Sequence, residues 1–398
     1  MTSTDDKPPV TVLSGVLGAG KTTLVNHLLK NNRGNELAVI VNDMGEVNVD
    51  ADLIERENPD TGLVELSNGC ICCRLQGDLV AQMVDLTENR DVDALVIEAS
   101  GISEPTPIAR TLTQPREDGP DPTAAFRLDM MVTVCDAHGF WKEFDAGTSL
   151  PAGADEPDPD RPLADVLVQS VEFCDVLLLN KCDMVPDDEL DRIVDVVSEL
   201  NPRATIRRTE YSEVDPSLVI DTGRFDFEEA RRSAGWKQEL REHKQREGGD
   251  SAAATHSHSH THDEQSAADT HGVESFVYTR ERPFDPAQFA ATLYERDDGI
   301  IRAKGLCNLA GTENVIGMSR AGRSIQAGPI GEWDAEDTRQ TELVFIGTEF
   351  DADEITDRLD ECLVDRESTV DSQTTVDQDV DSLFPLRIDP DDKAELRE

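Results

Sequence analysis

The sequence predicts an α/β protein: a P-loop domain whose mostly parallel sheet is covered by helices on both faces, followed by a smaller α+β domain. Three observations carry this. Short, continuous apolar runs alternate with segments of helical spacing, the pattern of parallel strands buried on both faces. The first such run, Val10 to Leu13, passes into Gly15-x-x-x-x-Gly20-Lys21-Thr22 and then into a helix carrying Leu24, Leu28 and Leu29. A low-complexity stretch, Gly248 to Gly272, separates this pattern from a second one that starts with a strand and a helix, SFVYTRERPFDPAQFAATL.

In order along the chain, residues 1–9 are a polar lead-in and residues 10–224 the nucleotide-type domain. Its later strands are read at Leu37 to Val41, Leu63 to Leu66, Ala94 to Ile97, Met130 to Val134 and Val176 to Leu179. A helix is expected around Leu79, Val80, Met83, Val84 and Leu86, and a solvated Pro/Gly/Asp-rich loop between Asp145 and Pro162. Residues 225–272 read as a charged helix, about Glu228 to Lys244, and a His-rich linker. Residues 273–366 read as the second domain, with strands at Gly299 to Leu309 and Glu342 to Ile346 and a helix at Ile355 to Leu363. Residues 367–398 form an acidic tail with an apolar piece at Leu383 to Ile388.

Of 398 residues, 83 are Asp or Glu and 37 are Lys or Arg, a net charge of −46 that disfavours nucleic acid and anionic membranes as partners. The excess is spread along the chain, a bias similar to that of proteins that keep their surfaces hydrated in concentrated salt. No run of 18 apolar residues occurs and MTSTDDKPP has no signal-peptide core, so a soluble, cytoplasmic protein is expected. Three of eight cysteines crowd into Cys70-Ile71-Cys72-Cys73, which in a reducing compartment points to metal or redox chemistry rather than a disulfide framework.

Several motifs carry chemistry. Gly15, Gly18, Ala19 and Gly20 would turn backbone N–H groups towards a polyphosphate at the N-terminus of the following helix. Lys21 would reach the β- and γ-phosphates, Thr22 would ligate Mg²⁺, and Thr23 would complete the nucleotide loop. Glu98, in EASGISEP, would serve the Mg²⁺ side or orient water, and the Gly101 N–H would meet the γ-phosphate. Asn180-Lys181-Cys182-Asp183 follows a buried strand. A carboxylate at Asp183 can accept from both N1–H and the exocyclic amine of guanine, which favours GTP over ATP. No arginine finger is evident, so intrinsic hydrolysis should be slow.

Cys70 and Cys72 share one face of an extended chain, and a turn could bring in Cys73. Three thiolates with Asp43, Glu46 or a water suit tetrahedral Zn²⁺, with Co²⁺ as an alternative metal; small-residue packing and a redox-sensing thiol cluster are the competing readings. His256, His258, His260 and His262 form an auxiliary metal-binding candidate, against the reading of a plain polar linker.

With these pieces in order, the chain resembles the CobW-type P-loop GTPases, which include the zinc-regulated zinc chaperones. The resemblance rests on SGVLGAGKTT, VNDMGEVNVD, GCICC, EASGISEP and NKCD, with RPFDPAQF and RAKG similar to the family's C-terminal domain. It implies a GTPase whose GCICC cysteines bind a transition metal and whose nucleotide state governs delivery to a client metalloprotein. Cobalt or iron delivery, and zinc storage or sensing without gated transfer, are the alternatives, and self-association into a homo-oligomer stays open. Asp43 departs from the family, which commonly carries Glu there.

Overall fold

In a computed structural model of the chain, the described residues are 7–32, 34–42, 62–66, 76–89, 91–101, 103–115, 120–145, 163–249, 272–293, 299–334 and 337–364. They group into two compact units, Met1–Ser233 and Ala234–Glu398.

The first unit is built on seven strands: β1 (Pro9–Ser14), β2 (Leu37–Asn42), β3 (Gly62–Leu66), β4 (Ala94–Glu98), β5 (Arg127–Asp136), β6 (Val176–Asn180) and β7 (Thr205–Arg208). Their order across the sheet is β3-β2-β4-β1-β5-β6-β7, and every pairing is parallel. Parallel neighbours require crossovers, which are supplied by α1 (Lys21–Lys30), α2 (Gln76–Asn89), α3 (Pro105–Thr113), the one-turn α4 (Pro122–Ala125), α5 (Phe140–Asp145), α6 (Leu163–Phe173) and α7 (Asp187–Leu200). Val10 and Val12 of β1, Ala38 and Ile40 of β2, and Leu95 and Ile97 of β4 meet Leu79, Met83 and Leu86 of α2 and Ile108 and Leu112 of α3 in one core. The alternate residues Leu13, Val39 and Val96 are equally buried, so both faces are covered and the strands read as continuous apolar runs rather than alternating ones.

Two features of this unit differ from the sequence reading. β5 runs three residues further at its start than Met130, because Arg127 and Asp129 are held in place from outside the sheet. The buried Asp129 carboxylate accepts the Thr222 and Gly223 N–H groups at 2.8 and 2.7 Å and pairs with Arg127. β7 has no counterpart in the sequence reading: TIRR is short, half-exposed and charged, as an edge strand can be.

After α8 (Phe227–Arg232), the second unit opens with α9 (Gly235–Gly249). The charged stretch read as one helix is therefore two, interrupted at Ser233 and Ala234. α9 packs on the sheet of the second unit. That sheet contains β8 (Val273–Arg280), β9 (Ile300–Cys307), β10 (Asn314–Ala321), β11 (Ser324–Glu332) and β12 (Thr341–Thr348) in the order β11-β10-β9-β12-β8, all antiparallel. β10 and β11 are additional to the sequence reading. NVIGMSRA and SIQAGPIGE carry glycine and proline, and β10 is buried along nearly its whole length, so neither shows clean period-two alternation. The helices α10 (Pro286–Leu293) and α11 (Ala352–Glu361) cover one face with Phe289, Ile355 and Leu359. Within the described residues, no helix is long and apolar enough to cross a membrane.

Candidate functional site

The phosphate loop grows out of β1, in the middle of the parallel sheet, at the edge where all seven strands present their carboxyl ends. Gly15 has φ +131°, and a Cβ there would stand 2.1 Å from the Val134 carbonyl oxygen. Only glycine lets the loop leave the sheet this close to β5. Gly20, at φ +114°, precedes α1, and no side chain caps that helix, so its first N–H groups face the loop. Lys21 is buried, and its Nζ donates to the carbonyls of Gly15 at 2.9 Å and Val16 at 3.3 Å. Gly18 and Thr23 are exposed, whereas Ala19 is buried.

β4 ends at Glu98, which is 2% exposed and accepts a hydrogen bond from Thr22 Oγ1 at 2.9 Å on its Oε1. The hydroxyl and the carboxylate expected on the Mg²⁺ side are thus adjacent. Gly101 follows with its Cα against the loop: a Cβ there would approach the Leu17 nitrogen to 2.7 Å.

The N-K-x-D turn is tied to the glycine loop by Asn180, at the end of β6. Its Nδ2 donates to the Ala19 carbonyl at 2.9 Å, while its Oδ1 accepts the Ser212 N–H at 2.8 Å and the Thr209 hydroxyl at 3.2 Å. Ser212, on the loop after β7, donates its Oγ–H to the Gly20 carbonyl at 3.0 Å, so that loop too is tied to the phosphate loop. Lys181, in the left-handed region at φ +63°, forms a 2.6 Å ion pair with Asp136 at the end of β5. Asp183 is exposed on the 3-10 turn Cys182–Met184. Burial pushes the neighbouring Cys182 thiol above its ordinary pKa, and its Sγ donates to the Leu179 carbonyl. His27 of α1 places Nε2 2.7 Å from the Val214 carbonyl oxygen, anchoring the far end of the loop after β7.

Of the residues singled out in the sequence, Gly15, Ala19, Gly20, Lys21, Thr22, Glu98, Gly101 and Asn180 are therefore brought to one edge and bonded or packed against one another, and Lys181, at the same edge, pairs with Asp136. Sequence reasoning missed Asp136, Thr209, Ser212 and His27. Asp136 could have been noticed, because it ends a buried strand, but TEYS carries no motif. Asp43, Glu46, Cys70, Cys72, Cys73, His256, His258, His260 and His262 lie outside the described residues. Among the described residues no group of three or more His, Cys, Asp or Glu side chains is placed to hold a metal ion.

A glycine loop on the central strand of a parallel sheet, with an N-K-x-D turn bonded onto it, defines a P-loop nucleotide-binding protein of the GTPase type. The chain belongs to the CobW family. Residues 9–208 match the CobW/HypB/UreG nucleotide-binding domain, and residues 273–363 match the cobalamin synthesis protein cobW C-terminal domain. Among curated relatives it is similar to zinc-regulated GTPase metalloprotein activator 1 of Dictyostelium discoideum, 37% identical over a match covering 79% of this chain and 65% of that protein. It is 28% identical to the zinc chaperone CobW of Sinorhizobium sp, covering 86% of this chain and 93% of that one. To the zinc chaperone YjiA of Escherichia coli (strain K12) it is also 28% identical, covering 87% of this chain and 96% of the relative. The chain thus spans slightly under two thirds of the first relative and more than nine-tenths of the other two.

Proposed function

We propose that this chain is a GTP-hydrolysing metallochaperone that binds a transition metal, zinc first, through Gly69-Cys70-Ile71-Cys72-Cys73 and delivers it to a client metalloprotein. The observation that carries the nucleotide half is the bond from Asn180 Nδ2 to the Ala19 carbonyl, which fixes the guanine-reading turn on the phosphate loop. The metal half draws on the zinc-chaperone names of the relatives and on the thiolate-rich motif.

On nucleotide binding Lys21 exchanges the Gly15 and Val16 carbonyls for the β- and γ-phosphates, and the N-terminus of α1 adds its partial positive charge. The Thr22 hydroxyl and the Glu98 carboxylate, already within hydrogen-bond distance, are a hard oxygen pair that fits Mg²⁺. Thr22 and Glu98 would hold Mg²⁺ there, and the ion would supply charge neutralisation to the phosphates. Gly101, whose Cα lies against the Leu17 backbone, would offer its N–H to the γ-phosphate. Asp183 accepts the N1–H and amine of guanine, and adenine offers an acceptor instead. GTP then yields GDP and phosphate on attack by water.

Transfer of metal follows if the segments holding Asp43, Glu46 and the cysteines respond to the γ-phosphate. GTP can shift metal affinity only as far as it binds the two states differently, and metal must then shift GTP affinity by the same factor. The test is a Zn²⁺ and Co²⁺ titration against a competing chelator in high salt, with Mg-GDP and with a non-hydrolysable Mg-GTP analogue. A nucleotide-dependent affinity supports gated delivery, and the preferred metal narrows the client between zinc and cobalt or iron pathways. Equal affinities with several metals per chain move the reading to storage or sensing, for which the run from His256 to His262 is the motivating feature.

A further inference from the structure

The loop that follows β7 is built in an unusual way. Tyr211 and Ser212 are consecutive non-glycine residues in the left-handed region, at φ +52° and +56°. Such conformations are costly and persist only where surrounding structure imposes them. Here Ser212 is fully buried and held by Asn180 and the Gly20 carbonyl, and Val214 is held at His27. The restraint does not serve to bury Tyr211. The residue is 70% exposed, although an aromatic side chain gains most by leaving water. The large hydrophobic side chains exposed among the described residues are Leu17, Met184 and Tyr211. They stand on the phosphate loop, beside Asp183, and one residue before the Ser212 that clamps Asn180. A rigid loop that presents an aromatic face next to base-reading residues is a stacking platform.

We infer that Tyr211 stacks on the purine base of the bound nucleotide and sets its affinity. The inference rests on the guanine-nucleotide reading of the same site. Tyr211 supplies affinity through the π-face, which every purine has, and Asp183 supplies the choice of guanine through the base edge.

Binding of Mg-GDP and Mg-ADP to the full chain is measured by calorimetry in high salt, for the wild type and for Tyr211→Ala, Tyr211→Phe and Tyr211→Trp. Tyr211→Ala is expected to weaken GDP by about 5- to 150-fold, while the GDP-to-ADP ratio is unchanged and Tyr211→Phe binds like the wild type. In Tyr211→Trp the added indole should change its emission on GDP binding, saturating at the calorimetric Kd, a signal that a merely structural side chain would not give. GDP affinity of Tyr211→Ala within twofold of the wild type, or an emission from Tyr211→Trp that GDP leaves unaltered, overturns the stacking. If Tyr211→Ala unfolds, the emission of Tyr211→Trp decides alone. A wild type that prefers ADP refutes the guanine reading instead, and the same variants then judge the stacking with ADP. A wild type that binds neither nucleotide overturns both.

Discussion

The two sheets of this protein use their polar residues in opposite ways. In the parallel sheet all strands deliver their carboxyl ends to one edge, so Ser14, Glu98, Asp136 and Asn180 converge there although they are far apart in sequence. In the antiparallel sheet neighbouring strands end on opposite edges, and the polar groups are consumed by the sheet and its helices. The fully buried Arg302 donates to Ser319 Oγ at 2.9 Å, Arg280 and Tyr278 both bind the Asp360 carboxylate of α11, and Lys244 of α9 pairs with Glu342. Burial and the adjacent Asp360 charge hold the Tyr278 hydroxyl far above its ordinary pKa, so it acts as a donor at any working pH. Strand direction thus decides whether polar side chains gather into a site or brace a scaffold.

The contrast can be broken by substitution, and the largest effect is expected at Lys21. Lys21→Ala should lower GTP turnover by about 10²–10³-fold or more, the usual cost of losing a charge-stabilising donor. Its thermal unfolding and Zn²⁺ binding should stay close to those of the wild type, whereas Cys72→Ser should impair metal binding and spare turnover. Next comes Asn180→Ala, which strands the Ala19 carbonyl and the Ser212 N–H. It should cost about 2–3 kcal/mol in the stability of the first unit, read by denaturant unfolding, together with loss of GDP binding.

The matching lesion in the second sheet is Gly305→Ala. A Cβ at Gly305 would come within 1.9 Å of the Glu342 carbonyl oxygen across β9 and β12. About 1–3 kcal/mol of destabilisation is expected, with nucleotide affinity intact. A loss of GDP binding in this variant would break the division of labour between the sheets.

Smaller still is Asp136→Asn. The Lys181–Asp136 pair is part-exposed, so its loss should weaken GDP binding by about 0.2–1 kcal/mol, readable by calorimetry. A thiol-labelling time course at pH 8 then sharpens the comparison. Burial pushes Cys174 up to about 12 and holds Cys135 and Cys307 higher still, so in native protein these three should resist a thiolate-trapping reagent until unfolding. Fast labelling of Cys307 with the first unit still folded would show that the second unit opens independently.

Much of the site was legible because its chemistry is local in sequence. Glycine spacing, the Lys21-Thr22 pair and N-K-x-D are contiguous, and each sits directly after a run that folds as a buried strand. Asp136 and Ser212 were not legible in this way. Each acts through a partner that the sequence places far away, Lys181 for Asp136 and both Asn180 and Gly20 for Ser212. In the second unit, β8, β9 and β12 were readable from apolar density, but β10 and β11 were masked by glycine and proline, residues that depress strand propensity without preventing a ladder that neighbouring strands complete.

What the sequence alone determined is the class of fold, the phosphate loop and the N-K-x-D turn, because these depend on backbone freedom and side-chain chemistry within a few consecutive residues. The tertiary structure decided the rest of the geometry. It sets Glu98 beside Thr22, bolts Asn180 to the phosphate loop, assigns α9 to the second sheet and leaves Tyr211 in the open. Those outcomes depend on which strands become neighbours, and in a chain of this length strand order is settled by how the two faces of each sheet can be covered at once, which no short stretch encodes.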